Sequence, residues 1–370
     1  MKKISAIILS VILFISVDIR SNAQPLQTSA QSAILICAEN GDVLYEKEAD
    51  ARLPMASLTK IMTATVVLEK LPTEEVVEIP PSVCGIEGSS VYLTAGERLS
   101  VNDLLYALLL QSANDAAAAL AVAVSGSVEA FAEEMNAKAA EIGLRNTHFT
   151  NPHGLDDADH YSSARDLALL CSYSLKNEKF AEIVSTKNHT IAYKDDPCAR
   201  YLSNHNRLLS SYDGCIGVKT GYTMRCGRCL VTAARRDGVT LIAVTLNDPC
   251  DWKDHAAMFD HGFSRLKCVE LVSENEEMEI NVESSAVKKI KCSAEPYSAI
   301  LHSDVGEIKR EVRLRRFYFA PIAKGETVGT IVFTANGDVI YEAEIKSNVT
   351  AEKIKYKRSL LEFIRSLFGR

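Results

Sequence analysis

The stretch Pro54-Met55-Ala56-Ser57-Leu58-Thr59-Lys60-Ile61-Met62-Thr63-Ala64 places a serine and a lysine one helical turn apart at a predicted helix start. Residues three apart on a helix share a face, so Ser57 Oγ and Lys60 Nζ point into one cleft unless that face is packed away. A hydroxyl beside an amine is a nucleophile with its own base. The spacing alone is common: Ser264-Arg265-Leu266-Lys267 and Ser285-Ala286-Val287-Lys288 repeat it. What distinguishes the first copy must lie in its surroundings.

Downstream, Leu104, Leu105, Leu108, Leu109 and Leu110 predict a core helix that stops at Gln111-Ser112-Ala113-Asn114-Asp115, before the small-residue helix over 116–124. Polar side chains set into so apolar an interior must be hydrogen-bonded or line a cavity. The plain alternative is a capping turn with Asn114 or Asp115 as N-cap. A further helix over 127–142 closes at Gly143, and another starts at Ser163. His153 and His160 lie in Asn/Pro/Gly turn sequence and are read as backbone organisers rather than acid–base groups.

Gly217-Val218-Lys219-Thr220-Gly221-Tyr222-Thr223 then opens a meander: a strand over 229–234, a turn at Arg235-Arg236-Asp237-Gly238, and a strand over 239–246. A phosphate loop is excluded, because it needs glycine immediately before the lysine and a helix after it. Near the N-terminus, Glu39-Asn40-Gly41-Asp42 between apolar runs predicts a hairpin. The spacing predicts a last helix over 254–266. Beyond it Met278–Val282, Ile308–Leu314, Thr327–Phe333 and Asp338–Ile345 alternate at period two, the texture of a separate small β domain beginning near residue 270.

The chain has 370 residues, 47% hydrophobic and 24% charged, enough to bury a sizeable core in about two domains. A net charge of −7 without a basic block in the main body argues against a nucleic-acid partner. Lys2-Lys3, the apolar run from Ile4 to Val17 and Ser21-Asn22-Ala23 predict a cleaved signal peptide over residues 1–23, hence export. At the other end Leu360, Leu361, Phe363, Ile364, Leu367 and Phe368 fall on one helical face among Lys and Arg, a membrane-surface pattern over 351–370. Ten cysteines spread this widely read mostly as small hydrophobic residues, with one or two bridges at most and no legible pairing. Cys226-Gly227-Arg228-Cys229 lacks the second pair or nearby histidines that a zinc site wants.

The ordered set Ser57-x-x-Lys60, Ser112-x-Asn114, Lys219-Thr220-Gly221, on a helix start, an inter-helix loop and a strand, is the signature of the penicillin-recognising serine acyltransferases. Among these the chain resembles the serine D-Ala-D-Ala carboxypeptidases, the low-molecular-mass penicillin-binding proteins of peptidase family S11. Asp103-Leu104-Leu105-Tyr106, Asp115-Ala116 and His153-Gly154-Leu155 extend the likeness. The expected fold is α+β: a helical cluster packed on an antiparallel sheet over residues 24–269, a small all-β domain over 270–350, and the terminal amphipathic helix.

The resemblance implies removal of the terminal D-alanine from peptidoglycan stem peptides through an acyl-enzyme, acylation by β-lactams, and no metal or cofactor. Ser57 is then the nucleophile, and Lys60 the base, its pKa lowered by burial and by Lys219. Ser112 relays the proton to the leaving amine and Asn114 positions Lys60. Lys219 and Thr220 meet the substrate carboxylate, Gly221 lets the acyl chain lie along the strand, and the N–H groups of Ser57 and Tyr222 form the oxyanion hole. No arginine stands out for the carboxylate. A serine β-lactamase shares the three motifs, and a silent wall-binding or penicillin-sensing module would keep the pocket without turnover.

Overall fold

The computed structural model describes residues 26–191 and 199–354; the signal-peptide and terminal-helix expectations fall outside them. The described residues open with a hairpin, β1 (Ser32–Cys37) and β2 (Val43–Lys47), as Asn40-Gly41 predicts. The helical part follows: α1 (Lys60–Lys70), α2 (Val101–Leu110), α3 (Asn114–Ser125), α4 (Val128–Ile142), α5 (Ala164–Ser174) and α6 (Glu178–Ser185). Side chains of Ser100, Ser127, Ser163 and Asn177 cap α2, α4, α5 and α6 by accepting the first free amide protons. The chain then returns as the meander β3 (Cys215–Thr223), β4 (Gly227–Arg236) and β5 (Val239–Leu246), completing an antiparallel sheet of order β2-β1-β5-β4-β3.

Both faces of this sheet are covered, which is why its inner strands are almost continuously apolar. Ile34, Ile36, Ile242 and Val244 face the core shared with the helical cluster. Their neighbours Ala33, Leu35, Leu241 and Ala243 face Met258 and Phe259 of α7 (Asp251–Phe263). α3 lies within the cluster, and Ala116 to Ala119 are fully buried, because only methyl side chains allow so close an approach of neighbouring helices.

Three boundaries differ from the sequence reading. The helix start expected around Ser57 and Lys60 is a 3₁₀ turn over residues 56–59, and the α-helix starts only at Lys60, with Ala56 at φ +47. The N-cap of α3 is Ala113, not Asn114 or Asp115, whose side chains are engaged elsewhere. α7 runs over 251–263 rather than 254–266, since Leu266 already belongs to a strand.

That strand, β6 (Leu266–Val272), pairs with Tyr297–His302 and straddles residue 270. Leu266 packs with Met258 and Phe259, whereas Leu271 and Val272 join a second apolar cluster with Ile280, Ile331 and Ile345. The β-rich remainder holds a six-stranded sheet that includes Glu277–Glu283, Lys289–Ala294, Ile308–Leu314, Thr327–Ala335 and Asp338–Ser347. The fold class is α+β.

Candidate active site

The 3₁₀ turn puts Ser57 and Lys60 almost in register, since residues three apart eclipse in that helix. Lys60 is fully buried, and Nζ lies 2.9 Å from Ser57 Oγ, 2.7 Å from Asn114 Oδ1 and 2.6 Å from the carbonyl oxygen of His153. The two carbonyl acceptors take two amine protons. In the neutral amine this leaves the nitrogen lone pair facing the serine hydroxyl, which then donates to Nζ. Burial, then the charge of Lys219, hold Lys60 well below the ordinary lysine value, with Asp115 opposing.

Asn114 reaches Lys60 because it is anchored on both sides. Its Nδ2 donates to Glu87 O at 2.6 Å and its backbone N–H to Ser89 O at 2.7 Å. Asp115 accepts from Ser90 Oγ and from the amides of Val91 and Leu93, binding the 87–93 loop to the start of α3. Ser112 is buried at φ +60, a conformation that costs a serine about 1–3 kcal/mol and persists only where packing imposes it.

β3 forms the opposite wall. Lys219 is buried, donates to Thr220 O at 2.9 Å, and has its pKa lowered by burial to about 7. Gly221 runs so close to the turn that a Cβ there would lie 3.0 Å from Met55 O and 3.3 Å from Ser57 N. The amides of Ser57 and Tyr222 are thereby brought to one end of the cleft. Tyr222 itself is 66% exposed.

The third wall is the segment 150–154. Thr63 Oγ1 donates to Pro152 O at 2.6 Å. His160, whose Nδ1 accepts from Thr150 N, bonds Thr59 Oγ1 at 2.7 Å, and Thr59 Oγ1 donates to Ala56 O. His153 serves through its backbone, and burial followed by the Lys60 charge hold its imidazole neutral, with a pKa near 3. Gly154 sits at φ +91, and a Cβ there would meet Ala56 O at 2.0 Å. Gly154→Ala is therefore expected to push the 57–60 turn out of place, lowering the melting temperature and cutting turnover at least about tenfold. Thermal melting of the purified variant beside its rate of penicillin labelling checks this; wild-type values for both would refute the packing argument.

The cleft encloses about 600 Å³ and is lined by Ser57, Ser112, Thr220, Gly221 and Tyr222 together with residues the sequence did not single out, among them Arg207, Arg228 and Trp252. Arg228 is held by Asp251 through Nε (3.0 Å) and Nη2 (2.8 Å), with its guanidinium 5.7 Å from the Trp252 ring centre. The other two Ser-x-x-Lys copies form no such site. Ser264 ends α7 and donates to His261 O, Ser285 accepts from Val287 N in the β-rich part, and both lysines are exposed.

A buried amine between a serine hydroxyl and two carbonyl acceptors, facing a lysine-bearing strand edge, defines the class of serine acyltransferases. The family model described as D-alanyl-D-alanine carboxypeptidase, peptidase S11, matches residues 19–250. The D-alanyl-D-alanine carboxypeptidase DacF of Bacillus subtilis (strain 168) is 34% identical over 93% of this chain and 90% of its own. Penicillin-binding protein 5 from Haemophilus influenzae has a similar structure, with TM-score 0.66 and 30% identity over 89% of this chain and 99% of that one. The Streptomyces K15 DD-transpeptidase covers the catalytic part, with TM-score 0.61 and 35% identity over 64% of this chain and 98% of that one. The chain belongs to the D-alanyl-D-alanine carboxypeptidase family, peptidase S11, and is a serine-type carboxypeptidase.

Proposed function

We propose that the protein is exported and removes the terminal D-alanine of peptidoglycan stem pentapeptides through a Ser57 acyl-enzyme, and that penicillins acylate the same serine. The observation carrying this reading is the buried Lys60 amine held 2.9 Å from Ser57 Oγ by Asn114 and the His153 carbonyl. Ser57 Oγ attacks the penultimate carbonyl carbon and passes its proton to Lys60 Nζ. The oxyanion is met by the N–H groups of Ser57 and Tyr222. On collapse the D-alanine nitrogen leaves with a proton delivered through Ser112 Oγ, and water then cleaves the ester by the reverse proton path.

Lys219 and Thr220 receive the terminal carboxylate, with Arg207 as a further cation lining the cleft, while the charge of Arg228 is met by Asp251. A free carboxylate is thus required beside the scissile bond, which makes the reaction a carboxypeptidase cleavage. Incubating the purified enzyme with diacetyl-Lys-D-Ala-D-Ala and with penicillin tests the reading. D-alanine release with slow penicillin turnover supports it; fast penicillin hydrolysis with an intact peptide would make the protein a β-lactamase, and neither activity a silent module.

The division at residue 270 rests on the two apolar clusters, and the amphipathic, basic sequence at the C-terminus supports peripheral attachment to the outer face of the cytoplasmic membrane. Among the described residues no single helix is long and apolar enough to cross a membrane. Removing residues 354–370 is expected to shift the protein from the membrane pellet to the supernatant with turnover unchanged; continued pelleting would disprove the anchor.

A further inference from the structure

Two cysteines that this chemistry does not use lie at the oxyanion end of the cleft. Cys226 ends the three-residue turn between β3 and β4, and Cys229 stands on β4 directly opposite Gly221. They are 2% and 1% exposed, and Cys229 lines the cleft. Cys229 Sγ is 3.9 Å from Pro54 O, at the foot of the nucleophile turn, and 3.8 Å from Cys226 O. Cys226 Sγ lies 3.2 Å from both the backbone N and the Oγ1 of Thr223 and 3.1 Å from Gly227 O, with the Cys229 side chain as its electrostatic neighbour.

The Cys229 side chain, followed by the bonds from Thr223, lowers the Cys226 thiol below its ordinary value, while Cys226 and burial raise Cys229. Cysteines that merely fill space behave differently here: burial raises Cys171, and raises Cys37 to about 11. A thiol of lowered pKa beside a second thiol three residues on supplies an attacking and a resolving sulfur. Among the described residues no cluster of three His, Cys, Asp or Glu that would hold a metal forms around them.

We infer that Cys226 and Cys229 form a reversible disulfide that is a redox-modification site of this enzyme, its closure displacing the Tyr222 and Ser57 ends of the cleft. The inference deepens, and for its activity readout rests on, the acyl-transfer reading of that cleft. The oxidant is an external disulfide. The Cys226 thiolate attacks one of its sulfurs and expels a thiolate, leaving a mixed disulfide; Cys229 then loses its proton, and its sulfur attacks Cys226 Sγ and releases the second thiol. One external disulfide becomes two thiols while two protein thiols become one bond of ~2.05 Å. The route in is opening of the turn, where Met224 is 94% exposed.

Closure has two geometric consequences. It moves Cys226 Sγ away from Thr223, whose backbone N–H donates to that sulfur and whose Oγ1 donates to Asp156 on the segment beyond Gly154. It also draws Cys229 away from the Pro54 carbonyl, so β3 and the turn before Ser57 lose contacts that position their amides. Because deleting one oxyanion donor outright costs about 10²–10³ in rate, a displacement is expected to slow acylation about tenfold.

The full chain, equilibrated in glutathione buffers from reducing to oxidising and then blocked and digested with trypsin, tests this. Trypsin cuts after Arg225 and Arg228, so a disulfide appears as a linked pair of peptides starting at Cys226 and Cys229. Expected are that linked pair in oxidising buffer, acylation by fluorescent penicillin slowed about tenfold, and recovery on reduction. Cys226→Ser, or Cys226→Ala if serine unsettles the turn, should give no linked peptide and label at one and the same rate in reducing and oxidising buffer. No linked peptide, or a linked peptide with the labelling rate unchanged, overturns the proposal. The peptide readout needs no activity, and D-alanine release by the reduced protein checks the underlying function separately.

Discussion

Alanine at position 57 is expected to abolish covalent labelling by penicillin and to cut D-alanine release by at least about 10⁴-fold. The loss is that large because the substitution removes the bond-forming atom itself. Everything that places it remains: Lys60 keeps Asn114 Oδ1 and the His153 carbonyl as acceptors, Thr59 still ties the turn to His160, and Lys219 still lies behind Thr220. Non-covalent binding of substrate is therefore expected to survive, with a melting temperature close to wild type, because only a half-buried hydroxyl is lost. Mass spectrometry of the protein after penicillin treatment, beside a D-alanine release assay, separates the outcomes. An adduct of penicillin mass on Ser57→Ala would mean that another hydroxyl, Ser112 being nearest in role, is the nucleophile.

The parts of this site legible in the sequence are those whose chemistry resides in side chains at fixed spacing. Ser57 with Lys60, Ser112 with Asn114, and the Lys219-Thr220-Gly221 strand are of this kind: Ser57, Ser112, Thr220, Gly221 and Tyr222 line one cleft, with Lys60 and Asn114 bonded behind Ser57 and Lys219 buried beside Thr220. The period-two runs and the Asn40-Gly41 turn likewise made the sheet readable. What remained hidden is supplied by backbone or by distance along the chain. Any residue at position 153 offers a carbonyl to Lys60, so only the Asn151-Pro152-His153-Gly154 turn composition hinted at the segment. Ala56 at φ +47 carries no signal, since alanine is not the residue expected there, and the turn it forces shifts the start of α1. Asn114 resembled a helix cap because the sequence does not show that its side chain is drawn away to Lys60 and Glu87. Arg228 gains its place in the cleft only through Asp251, 23 residues further on.

Lys219→Gln is expected to lower kcat/KM by about 10- to 100-fold and to move the acidic limb of its pH profile upward. The first effect follows from the substrate carboxylate, which loses a charge-assisted hydrogen bond worth about 1.5–3 kcal/mol to a buried lysine. The second follows from the coupling between the two lysines. Lys60 must be neutral to accept the Ser57 proton, so activity rises as pH climbs through its pKa. Burial is the larger cause of that low pKa and the Lys219 charge the next. Glutamine of similar length removes the charge and keeps the burial, so Lys60 holds its proton to higher pH and the acidic limb shifts in that direction. The alkaline side changes in the opposite sense. In the wild type, Lys219 loses its proton near pH 7 in the empty cleft, because burial disfavours the ammonium, and kcat/KM for a carboxylate-bearing substrate falls as pH rises through that value. In the variant there is no ammonium left to titrate, and that limb disappears. Profiles of kcat/KM for peptide D-alanine release, measured from pH 5 to 10 on both proteins, check the two shifts together. An acidic limb that stays in place would show that burial alone sets the base strength of Lys60, leaving Lys219 a carboxylate contact with no part in activating Ser57.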